Sequence, residues 1–361
     1  MIDFKPSDEQ QLVIDTVRHF AASEIRPLAR ECEEAKKLPD KAIDQAHQLG
    51  LVANALPESA GGGAQRSAVT GALIAEELAW GDLSIALAIL SPSLSAFPIG
   101  EFGTEEQRGL LARFTGSRFS AGSLAWVEPR LDFDPFRPAT TARREGGDYR
   151  LEGHKCLVPW QEGADPLLVV AMEEGRPQAF LVPRAAAGLA AEPERNMGIQ
   201  AFPTVELTLQ GVRVPADARL GGAAGADLRR VLNQGRVGLA AMAVGVARAA
   251  FEVARDYAKE RRVFGVPVAT KQAIAFKLAD MAIEIDGARL LVWEAAWTLD
   301  QGRDATRCAL LARRQAQRVA LEVADGAVQV LGGHGYIRDY LPELHLRNAR
   351  GFAAFEALTL V

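Results

Sequence analysis

The segment after Asp227, LRRVLNQGRVGLAAMAVGVARAAFEVARDYAKERR, constrains the fold more than any other part of the sequence. An aspartate can accept hydrogen bonds from the first N–H groups of a helix, so we predict that a long helix begins at Asp227. The many alanines and glycines of the segment allow neighbouring helices to approach closely. We therefore expect the last third of the chain to be a helical bundle.

Two more helices complete this prediction. One has a single apolar stripe and ends near Gly302; the next begins at the capping residue Asp304 and runs to Gly332 and Gly333. The two stripes consist of Ile274, Leu278, Met281 and Ile285, and of Val319, Val323, Ala327 and Val330. Three long antiparallel helices need a fourth helix or a neighbouring molecule, so we also expect an oligomer.

The earlier part of the chain has two different patterns. Up to about residue 118 it is helical, with a capping box in SDEQ from Ser7 and a second helix starting near Pro39. Between about Ser120 and Gly225, short β-like runs alternate with Gly, Pro and charged turns. We predict three domains, formed by residues 1–118, 119–225 and 226–361.

Charge and composition exclude several classes of protein. The formal net charge of −5 comes without a long basic run, which argues against a nucleic-acid partner. The start MIDFKPSDEQ does not resemble a secretory signal, and we find no long apolar run that predicts a membrane span. Cys32, Cys156 and Cys308 lie far apart and match no metal spacing. We expect a cytoplasmic protein without a metal site.

Common catalytic motifs are missing from the sequence. No GxGxxG follows a strand, and there is no GxxxxGK[ST], HExxH or CxxC. None of the five histidines accompanies a nucleophile motif such as GxSxG. The sequence therefore gives no support to a Rossmann, P-loop, zinc or hydrolase function.

Five short motifs remain, and together they resemble one family. They are NQGR from Asn233, RRVFG from Arg261 followed by Gln272, LADM from Leu278, QVLGGHGY from Gln329, and RNAR from Arg347 followed by Phe355 and Glu356. With the α, β, α order of the chain, they are similar to acyl-CoA dehydrogenases over nearly all 361 residues. The resemblance implies an α+β fold with an N-terminal all-α domain, a middle β-barrel-like domain and a C-terminal four-helix bundle. It also implies FAD as cofactor.

The resemblance assigns one group of residues to FAD. It implies that Arg261 reaches the pyrophosphate of a neighbouring subunit's FAD, with a planar charged fork suited to a diphosphate. It places Phe264 against the cofactor and Gln272 in hydrogen-bonding range. It also implies that Gln329, Gly332 and Gly333 contact FAD across the subunit interface. The two glycines have no Cβ, so their N–H groups can approach phosphate. Without the resemblance, Arg261 is an ordinary arginine favoured at a helix end, and Gly332 and Gly333 form the C-cap of a helix.

The resemblance also assigns the substrate contacts and the chemistry. Asn233 and Arg236 match positions that contact CoA, although the family usually has an acidic residue at Asn233. Glu356 matches the catalytic base, which removes the α-proton while flavin N5 takes hydride from the β-carbon and leaves a trans-2-enoyl-CoA. The plain alternative for Glu356 is a solvated glutamate. An electron-transfer flavoprotein or a similar acceptor would reoxidise the flavin in a homo- or hetero-oligomer, a dimer of dimers.

The middle domain departs from the family where the flavin ring should lie. This chain has VEPRLDFD where the family has TEPxxGSD, and KCLVP where the family has KxWIT. Val127 and Pro159 therefore replace threonines that contact the flavin in the family. Leu157 replaces the shielding tryptophan, and Phe133 replaces a serine. After Glu356, the family's Gly-Thr is Ala357-Leu358.

These departures leave three hypotheses. The first is a self-sufficient dehydrogenase in which Trp160 takes over the shielding of the flavin. The second is a non-catalytic partner subunit that completes FAD sites on an unlike subunit. The third is a flavin enzyme for a carrier-bound acyl group or a nitroalkane; nitroalkane oxidation uses an aspartate as base, so Glu356 argues against that substrate.

Overall fold

The computed structural model describes residues 5–361, so the predicted non-signal start falls partly outside the described residues. The first part of the chain is helical. Its helices are α1 (Asp8–Phe20), α2 (Ala29–Ala35), α3 (Asp40–Gln48), α4 (Ala68–Gly81), α5 (Leu83–Leu90), α6 (Ser93–Phe102), α7 (Glu105–Arg108) and α8 (Ala112–Thr115). Ser7 and Gln10 form the predicted capping box of α1, and α3 begins directly after Pro39.

Two helical stretches are long and apolar enough to cross a membrane, Leu83–Phe102 and Leu228–Glu260. Their most apolar windows are 94% and 78% buried inside the protein. Helices at the centre of a folded protein have this composition because no side of them faces water. The apolar character of both stretches is therefore accounted for by the core.

The middle part is one mixed sheet of seven strands. The strands are β1 (Leu124–Ala125), β2 (Thr141–Glu145), β3 (Asp148–Pro159), β4 (Leu167–Glu173), β5 (Arg176–Val182), β6 (Leu189–Pro193) and β7 (Thr204–Pro215). Their order is β1-β4-β2-β3-β7-β6, with β5 paired to β4. The long strands β3 and β7 run antiparallel, and the register shifts between Leu151 and Glu152 and again between Lys155 and Val158. Such irregularities bend the strand and redirect its side chains locally.

The last part contains the predicted bundle. Its elements are α9 (Leu228–Glu260), β8 (Arg262–Val263), β9 (Val266–Pro267), α10 (Gln272–Asp300), α11 (Thr306–Leu331), α12 (Gly333–Tyr336) and α13 (Pro342–Gly351). Asp227 caps α9 by accepting from the Arg229 and Arg230 N–H groups, as predicted. Asp304 accepts from the Thr306 N–H at 2.9 Å, so α11 begins at Thr306, slightly later than predicted.

Helix α9 lies at the centre of the protein. It packs against α4 on one side and α11 on the other, and most of its residues are buried. Gly245 permits the contact with α4, because a Cβ there would collide with the Glu76 carbonyl. Small residues at a helix crossing let the two backbones come close. The alanines and glycines noticed in the sequence serve this contact.

Ion pairs to two buried glutamates join four helices beside this crossing. Arg248 on α9 and Arg289 on α10 both bond Glu76 of α4, at 3.1 and 3.0 Å. Arg18 on α1 bonds the adjacent Glu77 at 2.9 Å. A desolvated carboxylate needs such partners to stay buried, so the charges fix which helices meet.

The middle sheet carries its own buried pair. The Lys155 ammonium donates to the Glu128 carboxylate at 3.0 Å and to the Trp126 carbonyl at 3.2 Å, and both charged side chains are almost fully buried. Thr140 donates its hydroxyl to the same carboxylate at 2.7 Å. Burial lowers the pKa of Lys155 to about 8, and the attraction of Glu128 opposes that shift.

Replacing Lys155 with methionine should therefore destabilise the protein strongly. The variant removes the buried cation and leaves the Glu128 carboxylate dependent on the partly exposed Arg130, 3.9 Å away. Breaking a buried pair in this way typically costs about 3–5 kcal/mol. Denaturant unfolding would measure the loss. The Lys155→Met/Glu128→Gln double variant should recover part of it, and the exposed control Lys277→Met should change stability by less than about 0.5 kcal/mol. Equal losses in the single and double variants would contradict this account.

Candidate active site

Arg236 and Glu356 form an ion pair near the middle of the fold. Arg236 lies on α9, and its Nε donates to the Glu356 Oε1 at 3.2 Å. The Arg236 side chain is 11% exposed and that of Glu356 is 19% exposed. Glu356 is therefore neither a fully buried core residue nor a solvated surface glutamate. Its carboxylate is held by Arg236 and remains partly accessible.

A buried arginine on α11 holds the loop that carries Glu356. The Arg313 guanidinium donates to the Phe352 carbonyl and, at 2.7 Å, to the Phe355 carbonyl. The Phe352 and Phe355 rings also meet edge to face, with centroids 5.7 Å apart. Burial lowers the pKa of Arg313 to about 10, while the nearby Glu356 charge opposes that shift. The backbone directly before the candidate base is thus tied to α11.

A second feature is an open cavity of about 550 Å³ at the far end of the bundle. It is lined by Arg261 and Phe264 from the β8–β9 corner and by Gly332 and Gly333 at the end of α11. A Cβ added at either glycine would meet no other atom, so the backbone there borders open space. A guanidinium and bare peptide groups around a cavity are suited to phosphate oxygens. These residues fit the diphosphate part of FAD.

Phe264 has an unfavourable setting for an isolated chain. Its side chain is 93% exposed, and its φ of 52° lies in the left-handed region that bulky residues avoid. Both features have a cost that a binding partner can offset. The Tyr257 hydroxyl and the His334 Nδ1, 2.6 Å apart, brace the other wall of the cavity.

Gln272 and Gln329, the two glutamines predicted to contact FAD, are not among the residues that line this cavity. Gln272 is the first residue of α10, next to Lys271, which does line the cavity. Gln329 lies in the last turn of α11. Both side chains are exposed. They flank the cavity and do not line it.

Asn233 and Arg236 lie on the same helix but in different surroundings. The Asn233 Nδ2 donates to the Thr306 hydroxyl at 3.1 Å. Its Oδ1 is buried and, among residues 5–361, has no hydrogen-bond partner. Asn233 also borders a polar cavity of about 280 Å³ that is lined by Arg229, Arg230 and Arg303. Arg236 instead faces Glu356.

Val127 and Pro159 are buried in the middle domain, away from the Arg261 cavity. The Val127 carbonyl accepts from the Cys156 N–H at 2.9 Å, and the Pro159 carbonyl accepts from the Ser123 hydroxyl at 2.8 Å. These backbone groups are already used within the chain. Both side chains are apolar, so neither supplies the hydroxyl that a threonine would provide to a flavin ring.

The neighbouring aromatic and strained residues bear on the shielding of a flavin. Leu157 has a φ of 53°, and its N–H donates to the Glu194 carboxylate at 2.9 Å. The Trp160 ring lies against the Arg184 guanidinium, 3.8 Å from the ring centre, and the Trp160 backbone N–H donates to the Pro203 carbonyl. The indole is therefore engaged by Arg184 in this structure, and the suggested shielding role would require it to move.

Comparison with known proteins identifies the family to which the chain belongs. The N-terminal, middle and C-terminal domains of acyl-CoA dehydrogenases match residues 7–113, 123–212 and 226–356. The chain belongs to the acyl-CoA dehydrogenase family. It is 36% identical over 360 residues to a probable acyl-CoA dehydrogenase of Bacillus subtilis, covering 97% of this chain and 94% of the relative. The family and the fold predicted from the five motifs are confirmed.

Solved structures of family members superpose on nearly the whole chain. Butyryl-CoA dehydrogenase from Megasphaera elsdenii matches with a TM-score of 0.89 and 33% identity, over 98% of this chain and 96% of that one. A glutaryl-CoA dehydrogenase from Mycobacterium smegmatis in complex with FADH2 matches with a TM-score of 0.88 and 29% identity, over 97% and 91%.

The sequence did not point to several residues of the site. Arg313 belongs to no motif, and only the fold brings it to the Glu356 loop. The Lys155–Glu128 pair has a weak signal in the sequence: Glu128 belongs to the VEP segment and Lys155 to the KCLVP segment, and both segments align with motifs of the family. Their separation along the chain gave no sign that they meet.

Replacing Arg313 with methionine should loosen the Glu356 loop. The variant loses charge-assisted hydrogen bonds to two carbonyls, which together are worth about 3 kcal/mol. Thermal unfolding would report the loss, and amide hydrogen exchange should become faster in residues 352–361. The matched control is Arg318→Met on the same helix, whose exposed ion pairs contribute less than about 1 kcal/mol. Unchanged exchange in the Arg313 variant would argue against the anchoring role.

Proposed function

We propose that this protein is an FAD-dependent dehydrogenase of short-chain acyl-CoA thioesters and forms the trans-2-enoyl-CoA. The observation that carries the proposal is the partly accessible Glu356 carboxylate, oriented by Arg236 on a loop fixed by Arg313. The name of the Megasphaera relative supports a short acyl chain. Relatives that cover almost the whole chain are named as dehydrogenases, so a non-catalytic partner subunit is not favoured.

The chain's own residues divide the work of the reaction. Glu356 accepts the α-proton of the thioester through its accessible side, while Arg236 keeps the carboxylate in position. Arg236 and Asn233 would contact the CoA portion, and the arginine-lined cavity beside Asn233 supports a charged group there. FAD, when bound, supplies the acceptor for the hydride from the β-carbon.

The proposed FAD contacts come from two places. Arg261, Phe264, Gly332 and Gly333 would hold the diphosphate part of a FAD that belongs to a neighbouring copy, with Gln272 and Gln329 at the edges. Val127 and Pro159 would face this chain's own flavin ring with apolar surface. The FADH2 complex of the Mycobacterium smegmatis relative supports the same cofactor.

A second copy of the chain is the proposed partner at the bundle. Phe276, Ile283, Leu290 and Trp297 are exposed on α10 at seven-residue intervals, so they form one apolar stripe. The same helix begins beside the Arg261 cavity. One copy packed on this stripe would cover the apolar surface and bring its FAD to the cavity. We propose a homo-oligomer built as a dimer of dimers.

The remaining partners follow from the proposed reaction. The reduced flavin has to pass its electrons on, and we propose an electron-transfer flavoprotein or a similar acceptor. The cytoplasmic location stays a prediction from the sequence.

Replacing Glu356 with glutamine should abolish flavin bleaching by butyryl-CoA. The amide cannot take the α-proton, so the rate of flavin reduction should fall by at least about 10²-fold. Stopped-flow absorbance on the flavin-loaded protein measures this rate. The control Glu322→Gln, on an exposed helix face, should reduce its flavin at the wild-type rate. Bleaching at that rate by the Glu356 variant would remove the proposed base.

Charges placed on the α10 stripe should separate the copies. The Ile283→Glu/Leu290→Glu variant puts two carboxylates into an apolar contact, where an unpaired charge costs several kcal/mol. Size-exclusion chromatography with light scattering should show a smaller species, with less FAD per chain because the cavity no longer meets its partner. The control Lys277→Glu on the same helix should keep the wild-type mass. A wild-type chain that is monomeric yet carries one FAD would contradict the proposal.

A further inference from the structure

Residues 357–361, with the sequence Ala-Leu-Thr-Leu-Val, follow Glu356 directly and lie inside the protein. None of the five is more than 3% exposed. They form no helix or strand. An irregular segment so deeply buried needs a groove that fits its backbone, since loops normally run over the surface.

Glycines on two helices form that groove. A Cβ at Gly238 of α9 would lie 2.8 Å from the Thr359 Cγ2, and one at Gly235 would lie 3.2 Å from the Ala357 Cα. A Cβ at Gly71 of α4 would lie 3.1 Å from the Val361 Cβ. The groove between α4 and α9 therefore exists because these three positions have no side chain.

Few polar contacts hold the segment in this groove. The Leu360 N–H donates to the Ser93 hydroxyl at 3.1 Å, and the Val361 carbonyl accepts from Arg66 at 3.2 Å. The Thr359 hydroxyl is buried without a hydrogen-bond partner among residues 5–361. A buried hydroxyl without a partner weakens the placement of its segment. Apolar contact and shape therefore provide most of the stabilisation.

The groove leads from Glu356 to two cavities. Val361, Arg66 and Phe97 line both a cavity of about 260 Å³ beside α1 and one of about 450 Å³ beside Glu101. Since Ala357 contacts α9 at Gly235, one residue before Arg236, the segment starts next to the Arg236–Glu356 pair. The 357–361 segment thus fills an apolar path that begins at the candidate base.

A substrate whose α-carbon lies at Glu356 needs apolar space for the rest of its acyl chain. The groove along α9 supplies such space only where the 357–361 segment does not fill it. We propose that this segment sets the acyl-chain length: Leu360 and Val361 occupy the room that carbons beyond a short acyl group would need. This inference rests on the proposed function and assigns the short-chain preference to particular residues.

The test compares binding of butyryl-CoA and octanoyl-CoA to the flavin-loaded protein by isothermal titration calorimetry. The Leu360→Ala/Val361→Ala double variant removes apolar volume beside Gly235 and Gly71 without touching Glu356. The single Leu360→Ala variant serves if the double variant does not fold. Leu209→Ala, equally buried on β7, is the control for loss of a core leucine far from the groove.

We expect the wild type to bind butyryl-CoA at least about tenfold more tightly than octanoyl-CoA, and the double variant to lose most of that preference. The Leu209 control should keep it. Equal binding of both thioesters by the wild type, or an unchanged ratio in the folded Leu360 variants, would overturn the inference. Failure of the proposed function would appear differently, as butyryl-CoA that binds the wild type without bleaching its flavin.

Discussion

The close packing of α9 on α4 and α11 is the constraint on which the rest of the structure depends. Glycines and alanines bring the three backbones together, and arginines on α9 and α10 satisfy the buried glutamates of α4 at the crossing. The same helix then presents Arg236 to Glu356 and Asn233 to the polar cavity lined by Arg229, Arg230 and Arg303. Because α9 is held on both sides, these side chains occupy fixed positions.

The loop after α13 shows how a candidate base is placed without regular structure. The buried Arg313 guanidinium donates to two carbonyls, and Arg236 donates to the Glu356 carboxylate. Arg313 lies on α11 and Arg236 on α9, and both helices are held in place by the packing of the bundle. Residues 357–361 then return into the α4–α9 groove, so the loop is anchored before and after Glu356.

The two halves of the proposed FAD site differ in how they bind. The Arg261 cavity offers a cation and open peptide groups, which recognise phosphate by charge and hydrogen bonding. The region of Val127 and Pro159 offers apolar contact, and its carbonyls are bonded within the sheet. In the proposed oligomer, a cofactor held mainly by its diphosphate would depend on the neighbouring copy, which would link FAD binding to assembly.

The sequence alone determined the helices of the bundle, the capping of α1 and α9 by Ser7 and Asp227, and the family, because these depend on local spacing and on motifs whose order along the chain is preserved. It also named Arg261, Phe264, Gly332 and Gly333, which the structure brings to one cavity. It could not reveal that Arg313 holds the Glu356 loop, that Lys155 meets Glu128, or that residues 357–361 fill a groove of glycines. Those contacts join segments far apart in the chain, and only the packing of α4, α9 and α11 decides which of them meet.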